Sequence, residues 1–94
     1  MVENRKSNIY ISTKNDVYLY TLYHEMFHAI YFNNTKYFTE HILEDWDRID
    51  DYVSKYAETS LAEDISESGA MFLSGQKLDH PKVKLIAKYY NNIK

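Results

Sequence analysis

Apolar and polar positions divide the chain into a short β-branched segment followed by four helical blocks. Residues Ile9 to Thr13 are β-branched and aromatic, which is typical of a strand. The next block, Val17 to Phe32, is apolar nearly all round a helical projection, so we expect a central helix that is buried on most sides, with Asp16 as its N-cap. The polar run Asn33-Asn34-Thr35 should end it.

Three further helices follow from the same periodicity. From about Thr39 to Lys55, apolar residues recur at spacings of three and four, which predicts an amphipathic helix. Ser60 is a candidate N-cap for a helix that runs to Ser74-Gly75, and Asp79-His80-Pro81 is typical of the start of another. The pattern therefore predicts an α+β fold that is predominantly α, with one short N-terminal strand and about four helices.

Length and composition limit the kinds of site that this chain can carry. At 94 residues, it is long enough for one domain, residues 1–94, and too short for two. There are no cysteines, so a zinc site would have to use histidine and carboxylate ligands. A bound metal would also help to stabilise so small a domain.

Charge and hydropathy argue against two classes of partner. The formal net charge is -3 and the basic residues are scattered, so nucleic acid is not an expected partner. Nor is a membrane, since no long apolar run follows the N-terminus, and no signal peptide is evident. We expect a cytoplasmic protein if the chain is full length, and a secreted one if it is an excised mature domain.

The segment from His24 to His28 matches the pattern H-E-x-x-H. Residues four apart on a helix lie one above the other, so the imidazoles of His24 and His28 can converge on one zinc ion. Glu25 is turned about 100° from His24, where it can reach a water on the metal as a general base. Two histidines that are merely hydrogen-bonded in a core are the alternative. We disfavour it because buried polar groups need partners, which a metal supplies.

A catalytic zinc needs a third protein ligand, and the best candidates are carboxylates. His41 and His80 fit surface or capping roles better. Glu63 and Glu67 lie four apart on one predicted helix face, so that one could bind metal while the other accepts a hydrogen bond from a metal-bound histidine. However, Ser60 and Glu63 also form a capping-box pattern, and spacing alone does not separate these two roles of Glu63.

These motifs together resemble the anthrax lethal factor family of zinc peptidases, which are gluzincins. His24-Glu25-Met26-Phe27-His28-Ala29 is similar to the family's zinc motif, Tyr56 stands seven residues before Glu63, and Glu67 follows in the same register. Pro-Pro endopeptidases and very small gluzincins are similar in the same features. The resemblance covers roughly residues 9 to 94.

The resemblance implies a zincin-like fold and a role for each matched residue. Glu63 would be the third zinc ligand, Tyr56 would donate its hydroxyl to the oxyanion, and Glu67 would support a metal-bound histidine. Phe27 stands where the family commonly has glycine, which could narrow the space beneath the metal. Little chain precedes the zinc helix, where relatives build a fuller sheet.

We therefore expect a zinc-dependent endopeptidase with one Zn²⁺ per chain. An extended peptide or protein substrate would lie along the edge of the Ile9 to Thr13 strand. Two alternatives remain. One is a domain that binds zinc but is latent or inactive as a peptidase, and the other is a small helical interaction protein in which H-E-x-x-H is incidental.

Overall fold

The fold of the chain is all-helical. A computed structural model describes the backbone of residues 2–93 and the side chains of residues 17–93. Within residues 2–93, five α-helices and one 3-10 helix follow in chain order: α1 Val2–Asn33, α2 Thr35–His41, α3 Leu43–Asp47, the 3-10 helix Tyr56–Thr59, α4 Leu61–Ser74 and α5 Pro81–Ile93.

The predicted N-terminal strand is wrong, and with it the α+β class. Residues Ile9 to Thr13 lie inside α1, which begins at Val2 and runs through Asp16, so Asp16 is not an N-cap. No segment of residues 2–93 forms a strand. Residues 2–93 provide no second strand with which this β-branched segment could pair, whereas a continuous helix satisfies its backbone hydrogen bonds internally. Local β-propensity is too weak to prevail over that.

Helix α1 is less enclosed than its composition predicts. It packs mainly against α4, and Phe27 and His24 are buried on that side. On the other side Leu19, Leu22 and Met26 remain 39–46% exposed. The prediction of a helix buried on most sides is therefore wrong, because the described part of the chain provides a neighbour for only one face of α1.

The predictions for α4 and α5 are confirmed. The Ser60 side chain accepts a hydrogen bond from the Glu63 amide at the start of α4, and Gly75 takes the left-handed conformation with φ of 77° just after its end. Helix α5 begins at Pro81, the position that proline favours.

The single helix predicted from Thr39 to Lys55 is instead two short helices and a loop. Helices α2 and α3 bring Phe38, Ile42 and Trp46 to one buried side at a spacing of four. The chain leaves the helical path after Asp47. In the loop that follows, Asp51 Oδ1 accepts a hydrogen bond from the Tyr52 amide at 3.0 Å, a local side-chain contact that competes with helical hydrogen bonding.

The contact between α1 and α4 depends on one glycine. Phe27 is fully buried, and a Cβ added to Gly69 of α4 would lie 2.2 Å from the Phe27 ring. Gly69 therefore lets the two helices approach with a phenyl ring between them.

Among the described residues, no helix is long and apolar enough to cross a membrane.

Candidate metal centre

Helices α1 and α4 bring three potential metal ligands together. The Nε2 atom of His24 lies 2.9 Å from Oε1 of Glu63, and the Nε2 atom of His28 lies 3.2 Å from that same oxygen. The two Nε2 atoms are 3.2 Å apart. His24 and His28 are one helical turn apart on α1, and Glu63 faces them from the first turn of α4.

This triangle of atoms fits a small metal ion. Tetrahedral zinc with ligands at about 2.1 Å places its ligand atoms about 3.4 Å apart, close to the spacings observed. Two imidazole nitrogens and one carboxylate oxygen are also a donor set that zinc commonly takes. His24, His28 and Glu63 could therefore hold a metal ion.

The position of Glu63 bears on its two possible roles. Its backbone amide donates to Ser60 Oγ at 3.1 Å, so the N-cap half of the capping box is present. Its carboxylate faces His24 and His28. Capping of α4 and metal coordination are therefore compatible, because the backbone of Glu63 serves one and its side chain the other.

Glu67 lies one turn further along α4, behind His24. Its Oε2 atom is 2.7 Å from His24 Nδ1, a buried nitrogen that has no hydrogen-bond partner of good geometry. This carboxylate is the natural acceptor for an Nδ1 proton, which would fix the tautomer of His24.

The polarity of these contacts depends on which nitrogen of His24 carries the proton. A proton on Nε2 makes the 2.9 Å contact an ordinary hydrogen bond to the Glu63 carboxylate. A proton on Nδ1, facing Glu67, leaves a lone pair on Nε2, and a second proton or a metal ion must then lie between Nε2 and Glu63. Among the described side chains, the ion pairs of Glu63 and Glu67 are with histidine and none is with lysine or arginine.

Glu25 and Tyr56 flank the open side of the cluster. Together with His24 they line a cavity of about 260 Å³. Glu25 is exposed, and the Tyr56 ring centroid lies 5.9 Å from that of His24. The charge of Glu63, together with slight burial, raises the pKa of the Tyr56 hydroxyl. Tyr56 therefore keeps its proton, and can donate it, at neutral pH.

The remaining candidates lie away from the metal ligands. His41 is exposed on α2. His80 accepts a hydrogen bond from the Lys82 amide at 3.1 Å, which is the capping role predicted for it. Phe27 packs on Gly69 of α4, and its ring centroid lies 6.0 Å from that of Tyr90.

Two residues of the site were not identified from the sequence. Tyr20 and Ser54 both donate hydrogen bonds to Oε1 of Glu67, at 3.0 and 2.8 Å. Tyr20 had a usable signal, because it stands four residues before His24 and so shares its helix face. Ser54 lies in a loop, and nothing in its local sequence points to Glu67.

Comparisons with family models, with characterised proteins and with solved structures found no match to this chain. The resemblance to the lethal factor family therefore rests on the motifs alone.

Proposed function

We propose that this chain is a zinc-dependent peptidase domain in which His24, His28 and Glu63 hold the metal. The proposal is carried by the convergence of the three ligand atoms, which lie 2.9–3.2 Å from one another. Histidine with carboxylate suits Zn²⁺, whereas Mg²⁺ and Ca²⁺ prefer all-oxygen sites.

When bound there, zinc would lower the pKa of a water toward about 7 and polarise a substrate carbonyl. Glu25, exposed at the cavity beside His24, would accept the proton of the attacking water and return it to the leaving amine. Tyr56, which lines the same cavity as Glu25, would donate its hydroxyl to the developing oxyanion.

The substrate would reach this site without a strand edge. The edge expected from Ile9 to Thr13 is part of α1, so pairing of an extended peptide along it is no longer proposed. Tyr56 lines the open cavity and is 53% exposed, and Phe32 is 67% exposed with its ring stacked on His28 at 6.5 Å. These two rings would offer apolar surface to a substrate side chain.

A second candidate is a zinc-binding interaction module without peptidase activity. It is favoured by the outer side of α1. From Val17 to Asn33, Glu25 is the only Asp, Glu, Lys or Arg, and Tyr18, Leu22 and Met26 are exposed. A surface helix of a monomer normally carries charges on its outer side, so this face is suited to contact a partner.

Two measurements separate these functions. Native mass spectrometry should find one zinc per chain in the wild type and weakened retention in Glu63→Ala. Digestion of a broad peptide library should then yield cleavage by the wild type and at least 100-fold less by Glu25→Gln, which keeps its zinc. Retained zinc without cleavage would favour the interaction module, and a chain that retains no zinc would contradict both proposals.

A further inference from the structure

Glu67 is held by two hydroxyl groups that come from separate parts of the chain. Its Oε1 atom accepts from Tyr20 on α1 at 3.0 Å and from Ser54 in the loop before the 3-10 helix at 2.8 Å. Its Oε2 atom is left to face His24 Nδ1 at 2.7 Å. Because Glu67 is only 7% exposed, water competes little for these oxygens. The two hydroxyls therefore set the direction in which the carboxylate faces His24.

The Ser54 hydroxyl has a second contact. The hydroxyl donates a hydrogen bond to Glu67, and its oxygen accepts a hydrogen bond from the Ala57 amide at 3.2 Å. A hydroxyl has one donor and two acceptor positions, so both contacts are possible at once. Ala57 immediately follows Tyr56 in the first turn of the 3-10 helix. Ser54 thus connects the Glu67 carboxylate to the backbone that carries Tyr56.

We infer that Tyr20 and Ser54 are positioning residues that act through Glu67. Tyr20 fixes the carboxylate against His24 and so orients a metal ligand, while Ser54 ties the same carboxylate to the segment that places Tyr56. The inference rests on the proposed function only in so far as it requires a metal at His24, His28 and Glu63. The Glu67 carboxylate would then fix the positions of His24, the metal ligand, and Tyr56, the hydroxyl donor, relative to each other.

The chemistry of Tyr20 agrees with this role. Burial, together with the negative charge of Glu67, raises the pKa of its hydroxyl, so Tyr20 remains a donor throughout the neutral range. Partners that orient the histidines of a metal site typically contribute 10- to 100-fold to metal affinity. If Tyr20 contributed only by packing, its replacement by phenylalanine would leave the metal affinity unchanged.

The Tyr20 half of the inference is tested by zinc affinity. Competition with a chromophoric chelator should show that Tyr20→Phe binds zinc about 10-fold or more weakly than the wild type. Tyr18→Phe is the matched control. It removes a hydroxyl from the same helix at a 61% exposed position and should bind zinc like the wild type. An affinity of Tyr20→Phe within twofold of the wild type would overturn this half.

The Ser54 half is tested by the position of Tyr56 relative to a bound metal. In the cobalt-loaded protein, paramagnetic shifts of the Tyr56 ring protons report their distance and direction from the ion. We expect these shifts to change in Ser54→Ala and to be retained in Ser54→Thr, which keeps the hydroxyl. Unchanged shifts in Ser54→Ala, with cobalt still bound, would contradict the role of Ser54.

Neither measurement uses peptide cleavage, so failure of the peptidase proposal is seen separately from failure of this inference. A chain that binds zinc but cleaves no peptide would still show both effects. A wild-type chain that binds neither zinc nor cobalt would overturn this inference together with the metal site.

Discussion

Helix α4 carries buried and half-buried carboxylates on two sides, and the two sides have different partners for their charge. Toward α1, Glu63 and Glu67 face two imidazoles. On the other side, the adjacent residue Asp64 faces Lys82 of α5 and Trp46 of α3. We refer to His24, His28, Glu63 and Glu67 as the metal-centre cluster, and to Asp64, Lys82 and Trp46 as the lysine cluster.

The lysine cluster is neutral within itself. Oδ2 of Asp64 accepts from Lys82 Nζ at 2.7 Å and from Trp46 Nε1 at 2.9 Å. The Lys82 ammonium also lies 4.0 Å from the centroid of the Tyr52 ring, a favourable cation–π distance. All three members of the cluster are at most 4% exposed, so each charge depends on the other rather than on water.

The metal-centre cluster has two carboxylates and, among the described side chains, no lysine or arginine to pair with them. Its balance must come from protons on the histidines or from a bound cation. The contrast therefore separates two uses of buried charge on one helix. In the lysine cluster a lysine of the chain itself pairs with Oδ2 of Asp64 and links α3, α4 and α5, whereas the described side chains offer the metal-centre cluster no lysine or arginine.

The largest expected effect is that of removing the cation from the lysine cluster. Lys82→Met leaves Asp64 buried without a counter-charge, which should lower the free energy of unfolding by about 3–5 kcal/mol. Because the contacts of Lys82 are with Asp64, Trp46 and Tyr52 and not with the proposed zinc ligands, the loss should be the same with zinc and with a chelator. Urea unfolding under both conditions measures it.

The control for this prediction removes both charges. Lys82→Met combined with Asp64→Asn keeps an acceptor for Trp46 and should recover most of the lost stability. If the double variant were as unstable as Lys82→Met, the cost would come from packing of the lysine stem rather than from an unpaired charge. A loss confined to the zinc-bound protein would contradict the separation of the two clusters.

The next largest effect is that of supplying the cation to the metal-centre cluster. Free zinc at 100 times its dissociation constant should raise the free energy of unfolding by about 2.7 kcal/mol. For a domain of this size the corresponding rise in Tm is roughly 10–20 °C. Thermal unfolding with added zinc, and again with excess chelator, measures it.

A matched pair of variants makes the zinc prediction specific to the site. Glu63→Gln removes the charged ligand and should lose most of the shift. Glu58→Gln makes the same change of charge at an exposed position of the 3-10 helix and should keep it. An equal zinc shift in all three proteins would place the ion elsewhere, and no shift in the wild type would mean that protons balance the cluster.

The sequence predicted the metal-centre cluster better than it predicted the fold. His24 and His28 meet because of helix geometry alone, which a five-residue motif contains. The ends of helix α4 could also be predicted from the local sequence. Ser60 caps its start with a side-chain hydrogen bond, and Gly75 takes the left-handed conformation after its end. The strand at Ile9 to Thr13 failed because strand formation depends on a partner elsewhere in the chain, and local β-propensity does not reveal whether one exists.

The parts of the site that sequence could not reveal depend on contacts between elements. Ser54 reaches Glu67 across 13 positions, and Lys82 reaches Asp64 across 18. Neither contact follows from periodicity. Gly69 is a further case, because its close contact with Phe27 joins α4 to α1 and neither local sequence indicates the other.

The smallest expected effect concerns the negative charge of the metal-centre cluster in the absence of metal. The pKa of the Tyr20 hydroxyl is raised in the folded chain, first by burial and then by Glu67. The folded chain therefore keeps this proton at a pH where the unfolded chain releases it. Its contribution to stability is complete below about pH 10, the ordinary tyrosine value, and declines as pH rises above it.

Urea unfolding of the zinc-free protein from pH 8 to pH 11 tests this sign. Tyr20→Phe should be less stable than the wild type at pH 8, because Glu67 loses a donor. The difference should shrink above pH 10 by about 1 kcal/mol or less per pH unit, allowing for solvent screening at a half-buried hydroxyl. Tyr18→Phe, whose hydroxyl is exposed, should run parallel to the wild type. A difference between Tyr20→Phe and the wild type that stays constant to pH 11 would mean that Tyr20 does not experience the charge of Glu67.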